Sequence, residues 1–253
     1  MKRTAVALAL IMQLLFTTIA GTYLMRTVTA KTITVPSDYS TIQSAIDAAN
    51  VGDIVFVKSG YYPETIVIYK RISLIGEDRN STIIDAYQLA EHVITITGRI
   101  TNVTVANFTL GNNKVILPHS SGGTPVGGDG IRVEYTNYNT IINNTIINVP
   151  RSGITVLSYL YTEIVGNTFI NCSREGTTFH GSNSLIANNT FVNVPWLVTD
   201  YGENNIIEEN SKINLAKIPS PFQPEFPSWI ILPMLIVMVI CISFLIYFKK
   251  RKH

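Results

Sequence analysis

Between residues 130 and 214 the sequence repeats itself every 21 to 23 residues, and this period restricts the possible folds more than any other feature. Gly130-Ile131-Arg132-Val133 returns as Gly153-Ile154-Thr155-Val156 and again as Gly176-Thr177-Thr178-Phe179, both at steps of 23. One asparagine column runs through Asn144, Asn167, Asn189 and Asn210 at steps of 23, 22 and 21, and a second through Asn148, Asn171, Asn193 and Asn214 at the same steps. Between them stand Ile141, Ile164, Ile186 and Ile207, and then Ile146, Phe169 and Phe191. The runs inside each repeat are short, rich in Ile, Val, Thr and Phe, and broken by Asn, Gly and Ser, which is the pattern of strands. None keeps a 3.6-residue period long enough for a helix. A strand-only repeat of this length predicts an all-β chain folded as a single-stranded right-handed parallel β-helix, a solenoid with coils of about 22 residues.

In such a solenoid each coil pairs its backbone with its neighbours at about 4.8 Å, so like residues stack on like. Stacked Ile and Phe then make one continuous core. Stacked Asn side chains can bond along the axis, because each amide offers donors and an acceptor. Asn also tolerates the left-handed conformation of a tight corner. Both asparagine columns are therefore expected to be structural.

A solenoid end exposes core and unpaired strand edges and needs a cap. Ser40-Thr41-Ile42-Gln43 reads as a capping box, Ile42, Ala45, Ile46 and Ala49 share one helical face, and Gly52 follows. A cap helix over 40–50 is predicted. Strands follow at 54–57, 66–68, 72–75, 83–84, 93–96 and 103–108, with 60–64 as a turn. The period then breaks, because Asn107 and Asn144 are 37 residues apart. The excess is an insertion loop over 111–130, with His119 and Asp129 in it, and insertions in repeat proteins map to one face, often the binding face.

The two ends read differently. Residues 1–30 carry Lys2-Arg3, an apolar run and a small-residue ending at Ala30, as a signal peptide does. An uncleaved anchor helix is the rival reading. Residues 229–248 form an uncharged apolar run of 20, long enough to cross a bilayer, flanked by Trp229 and Tyr247. Lys249-Lys250-Arg251-Lys252 follow, so residues 249–253 are expected in the cytoplasm and the solenoid, residues 31–216, outside the cell membrane. Four prolines within 217–228 make a stiff stalk. Of 19 basic residues, 3 lie before residue 31 and 4 after 248, leaving 12 against 17 acidic ones, a balance of −5 for the outer region. That excludes nucleic acid as the expected partner. Cys172 is alone in the outer region, so no disulfide within it is expected.

From Ile33 to Asp85 the chain resembles the opening of pectin-lyase-fold surface proteins. The resemblance rests on Val35-Pro36-Ser37-Asp38-Tyr39-Ser40-Thr41-Ile42-Gln43, Gly52-Asp53, Gly60-Tyr61-Tyr62-Pro63-Glu64 and Leu74-Ile75-Gly76-Glu77-Asp78. The later coils resemble the Asn-rich β-helix repeats of NosD-like proteins and of carbohydrate-binding and sugar-hydrolysis families. Signal, β-helix, stalk and basic-flanked helix together look like archaeal surface proteins. Fold alone does not fix function. Gly60-x-Tyr62-x-Glu64 is similar to a pectin methylesterase motif, but the other segments of that family are missing. The clustered carboxylates of polygalacturonases are missing too. A calcium-dependent lyase needs several Asp together, and a copper site needs His, Met or Cys clusters. The outer region has only His92, His119 and His180, one Cys and no Met. No cofactor and no metal are expected.

In the Gly-Ile-x-Val strands Ile131 and Val133 should face inward, and Arg132 and Glu134 outward. Thr155 and Leu157, then Thr178 and His180, align with them, Asp200 belongs to the next coil, and the loop bearing Asp129 enters the same face. His119, Asp129, Arg132, Glu134 and His180 are the candidate ligand-binding residues. Asp129, Glu134, His180 and Asp200 are the candidates if there is catalysis, although Glu134 and His180 stand about two coil spacings apart, too far for a direct acid–base pair. Sequons occur at Asn80, Asn102, Asn107, Asn143, Asn171 and Asn188, in a composition that generates them readily. The expected function is a membrane-anchored surface module that binds cell-surface or environmental polysaccharide or serves as an envelope structural or adhesive element. The alternative is a polysaccharide lyase or hydrolase.

Overall fold

The computed structural model of the chain describes residues 12–13, 29–86, 92–111 and 128–213. Most of the expected signal segment, the bulk of the insertion loop with His119, Asn214, and the stalk, apolar run and basic tail lie outside these residues. Among the described residues no helix is long and apolar enough to cross a membrane.

The described strands stack into three parallel sheets of eight, six and seven strands, wound into about seven coils. A representative coil passes through Ile131–Glu134 in the six-stranded sheet, Asn139–Ile142 in the eight-stranded sheet and Thr145–Ile147 in the seven-stranded sheet. Ile154–Leu157 then begins the next coil. Register follows the repeat. Ile131 pairs with Ile154 and Ile154 with Thr177. Ile141, Ile164, Ile186 and Ile207 pair in turn, as do Ile146, Phe169 and Phe191. The inward columns are fully buried through Ile186 and Phe191, and the Phe169 and Phe191 rings stack at 4.8 Å and 5°. At the last coil Lys212 takes the aromatic position, and its ammonium donates to Pro195 O instead of entering the core.

The glycine column has a steric cause. A Cβ on Gly153 would lie 2.3 Å from the Phe169 ring and 2.7 Å from Gly176 O, and one on Gly176 would lie 2.0 Å from the Phe191 ring. The strand must begin there without a side chain so that the aromatic column can close beneath it.

Both asparagine columns form ladders, of two kinds. In the buried one, Asn167 Oδ1 accepts from the N–H of Asn144 (2.9 Å) and from its Nδ2 (3.1 Å). Asn189 Oδ1 serves Asn167 in the same way, and Asn210 Oδ1 serves Asn189. Each Nδ2 also reaches back to a carbonyl, as from Asn167 to Ile141 O at 2.9 Å. The second ladder runs along surface corners with left-handed backbone at Asn148, Asn171 and Asn193, where Asn171 donates its amide to Asn148 and Asn193 donates to Asn171.

Three readings of the sequence shift. Asn107 aligns with Asn143, not Asn144, because Val105 pairs with Ile141; Phe108 therefore stands in the buried ladder column, and its N–H donates to Asn144 Oδ1. Gly60–Tyr62 is a strand and not a turn, since Tyr62 packs into the core with its hydroxyl donating to Lys58 O. The cap helix is Ile42–Ala48, and its N-cap is Thr41 with Ser44 rather than Ser40 with Gln43. Gln43 is occupied elsewhere, bonding both the N–H and the carbonyl of Val67 and so tying the helix to the first coil. Glu64 accepts from the N–H groups of Ile42 and Gln43, where a helix start favours a negative charge. Lys70 donates to the carbonyls of Ile46, Asp47 and Ala49 at the other end. Glu64, the last residue of the esterase-like motif, is thereby a structural cap.

Candidate functional site

The outward side of the six-stranded sheet collects charge. Alternation along Ile131–Glu134 buries Ile131 and Val133 and leaves Arg132 and Glu134 half-buried on the face. Arg132 pairs with Thr155 and Thr155 with Thr178, while Glu134 pairs with Leu157. His180 follows on the same side, and its ring stacks on Tyr201 at 4.6 Å.

Asp129 enters this face at its base with a fully buried side chain. Its carboxylate accepts from Ser152 N–H at 3.2 Å and stands 3.3 Å from the Arg132 guanidinium and 3.8 Å from that of Arg151. Its own N–H donates to His92 Nδ1 at 2.8 Å. Glu134 accepts from Arg132 Nε. Burial opposes the charge on Arg132, but the bond to Glu134 and the field of Asp129 outweigh it and hold the guanidinium above its ordinary pKa. Ser152 Oγ donates to Glu175 at 2.8 Å and lies 3.0 Å from Thr178 Oγ1, and Arg174 stands 3.7 Å from the same carboxylate.

These groups border a groove of about 300 Å³ lined by Arg132, Arg151, Ser152, Arg174, Glu175 and His180, with Tyr201 at its far side. Three guanidinium groups against one carboxylate give the residues that border the groove a charge of +3 − 1 = +2, and Asp129 and Glu134 behind them bring the whole cluster to +3 − 3 = 0. Of the expected ligand residues, Arg132 and His180 meet here. Asp129 and Glu134 act instead on Arg132, the first from full burial, and neither borders the groove. Asp200 pairs with Phe179, a core position left open in the last coil, and its carboxylate accepts from Gly202 N–H and Asn205 Nδ2. Arg151, Ser152, Arg174, Glu175 and Tyr201 are additions. The repeat did hold one signal for them, because Arg151 and Arg174 are separated by the same step of 23 as the glycine column.

Burial, with further opposition from Arg132 and Arg151, pushes the His92 imidazole below its ordinary pKa, although Asp129 pulls the other way. The unfolded chain therefore binds a proton at this residue at a higher pH than the fold does. Stability owed to neutral His92 is lost as pH falls from about 6.5 toward the depressed value. The expected result is that His92→Gln reduces the drop in Tm between about pH 7.5 and about pH 5.5; an unchanged drop would refute it.

Among the described residues no cluster of His, Cys, Asp and Glu could hold a metal ion. Cys172 is buried, and its thiol pKa is pushed up to about 12 by that burial. Of the sequons, Asn143 donates its amide to Asn107 and Asn171 donates to Asn148, Asn102 donates to Thr101, and Asn80 and Asn188 are exposed.

A family model described as a right-handed β-helix region matches residues 74–216. No curated protein matches the sequence. Among solved structures, ORF18 of Geobacillus virus E2 is similar at a TM-score of 0.52 and 15% identity, over 65% of this chain and 37% of that one. The chain thus spans little more than a third of the viral protein, and the likeness is one of fold. Alginate lyase from Paenibacillus sp. str. FPU-7 is similar at 0.46 and 11% identity over 72% of this chain and 76% of that one. Pectin methylesterase PemA from Erwinia chrysanthemi is similar at 0.39 and 16% identity, over 65% and 55%.

Proposed function

We propose, for a chain that belongs to the family of right-handed β-helix regions, a membrane-anchored cell-surface module that binds acidic polysaccharide on the outward face of its six-stranded sheet. The observation that carries this reading is the groove with Arg132, Arg151 and Arg174 around it. Guanidinium groups recognise carboxylate through paired donors. Asp129 and Glu134 hold Arg132 in place, which reduces the entropy lost when a ligand arrives. Anchoring is supported by the 20-residue apolar run and the basic residues after it.

Hydrolysis is poorly served, because two carboxylates must flank the scissile bond and the groove offers Glu175 alone. A lytic reading has one observation in its favour, the His180–Tyr201 stack beside the guanidinium groups. In that reaction one side chain takes the proton beside the sugar carboxylate, a carbon–carbon double bond forms, the glycosidic C–O bond breaks, and the leaving oxygen receives a proton.

The test is calorimetric titration of the full chain in detergent with hexagalacturonate and alginate oligomers. Arg151→Ala with Arg174→Ala is expected to weaken binding by about 100-fold or more, at roughly tenfold for each charge-assisted pair. Binding that survives the double variant, or no binding of any acidic oligomer, refutes the assignment. Release of unsaturated ends that His180→Ala abolishes replaces the binding reading with the lytic one.

A further inference from the structure

A second groove, of about 590 Å³, lies on the eight-stranded sheet and shares no lining residue with the first. Its edge is a column of corner residues, Asn102, Tyr138, Tyr161, Asn183 and Asn204, one per coil. All five have left-handed backbone, with φ between 49° and 57°. Backbone bonds join them to the coil above, as from Tyr138 N–H to Leu160 O and from Tyr161 N–H to Ser182 O. Asparagine reaches this conformation at little cost, and a bulky residue is an outlier there. The column uses asparagine at three coils and tyrosine at two successive ones.

Those tyrosines do not recover the cost by burial. Tyr138 is 49% exposed and Tyr161 is 46% exposed. Their rings stack on each other at 5.0 Å and 12°, so each covers one face of the other and leaves its outer face as the flat aromatic surface. Strained backbone held against a cheaper alternative is a feature of functional sites. The groove beside the rings is mixed, with Leu185 and Ile206 among polar side chains. Thr140, Glu163, Asn183 and Asn204 border it, and Asn139 lies at its inner edge, 1% exposed. Asn139 Nδ2 donates to Thr136 Oγ1, and its Oδ1 has no hydrogen-bond partner.

We propose that the Tyr138–Tyr161 stack and the groove beside it form a binding site for a neutral pyranose ring. A flat aromatic surface matches the C–H face of a sugar ring, and amide and hydroxyl side chains match its hydroxyl edge. Glu163 is the one charged group in the lining, and it opposes an acidic sugar. The volume falls within the range of small-ligand sites. This site stands whether or not the arginine-lined groove binds acidic glycans.

The test uses the full chain in detergent, with cellohexaose and mannohexaose as neutral probes and hexagalacturonate as the acidic one. Tyr138→Asn and Tyr161→Asn restore the residue type of the column. Each is expected to weaken binding of the neutral probe by at least about tenfold. Each should leave hexagalacturonate binding as it was and keep Tm equal to or above that of the parent. Tyr138→Phe, which keeps the flat ring, should retain most of the affinity. Failure of both neutral probes to bind below about 10 mM overturns the proposal. So does unchanged neutral binding in the two Asn variants. A fall in Tm with Tyr138→Asn also overturns it, because the ring would then be holding the corner.

Discussion

Asn167→Ala is expected to destabilise the solenoid by about 3 to 5 kcal/mol. The side chain sits in the middle of the buried ladder, so its loss reaches both neighbouring coils. Asn144 N–H loses its acceptor and Ile141 O loses its side-chain donor, and neither can turn to water at that depth. Each buried group left unpaired costs about 1 to 3 kcal/mol. In a solenoid of this size that is a fall in Tm of roughly 10 °C. Asn148→Gly is the matched comparison, because it removes one bond, from Asn171, at a surface corner whose left-handed backbone glycine also accepts. It should cost no more than about 1 kcal/mol. Thermal unfolding of the two variants checks this, and equal losses would show that burial of the ladder contributes nothing.

Gly153→Val is the second large effect, at about 3 kcal/mol or more. The Phe169 ring could swing away from a new Cβ only by leaving its stack on Phe191. Gly176 O, 2.7 Å away, is backbone of the next coil and is held by the pairing of Ile154 with Thr177. Gly166→Ala separates sterics from backbone conformation. Gly166 has φ +65° and nothing within 4 Å of a Cβ, so the cost there is conformational, about 1 to 2 kcal/mol. Denaturation midpoints should rank Gly153→Val well below Gly166→Ala. The reverse order would mean that the aromatic column yields.

The fold was legible because a solenoid writes its register into the sequence. Gly153, Asn167 and Phe169 each occupy a column, and each column meets one physical demand one coil at a time. The site was legible only in part. Arg132 and His180 lie on strands, where alternation shows which way a side chain points. Arg151, Ser152, Arg174 and Glu175 lie in or at the end of turns, where no alternation applies and only the three-dimensional stack brings them together. Asp129 was recognisable as a charge entering that face, but its burial depends on three partners, His92, Arg132 and Arg151, spread over 60 residues of sequence. Tyr138 and Tyr161 stand one step of 23 apart, yet nothing in their letters says that the backbone beneath them is left-handed.

The buried ladder also has a direction. Each Asn donates its backbone N–H to the side-chain Oδ1 of the Asn in the coil that follows, Asn144 to Asn167, Asn167 to Asn189 and Asn189 to Asn210. A chain made from its N-terminus therefore carries one unfinished rung at its growing end, and the next coil to emerge completes it. Adding or removing a whole coil leaves an end of the same kind, so the cost of changing length is that of one interface, whatever the length. Number of coils becomes a quantity that duplication can tune without redesigning the core, and a binding face can be lengthened one rung at a time.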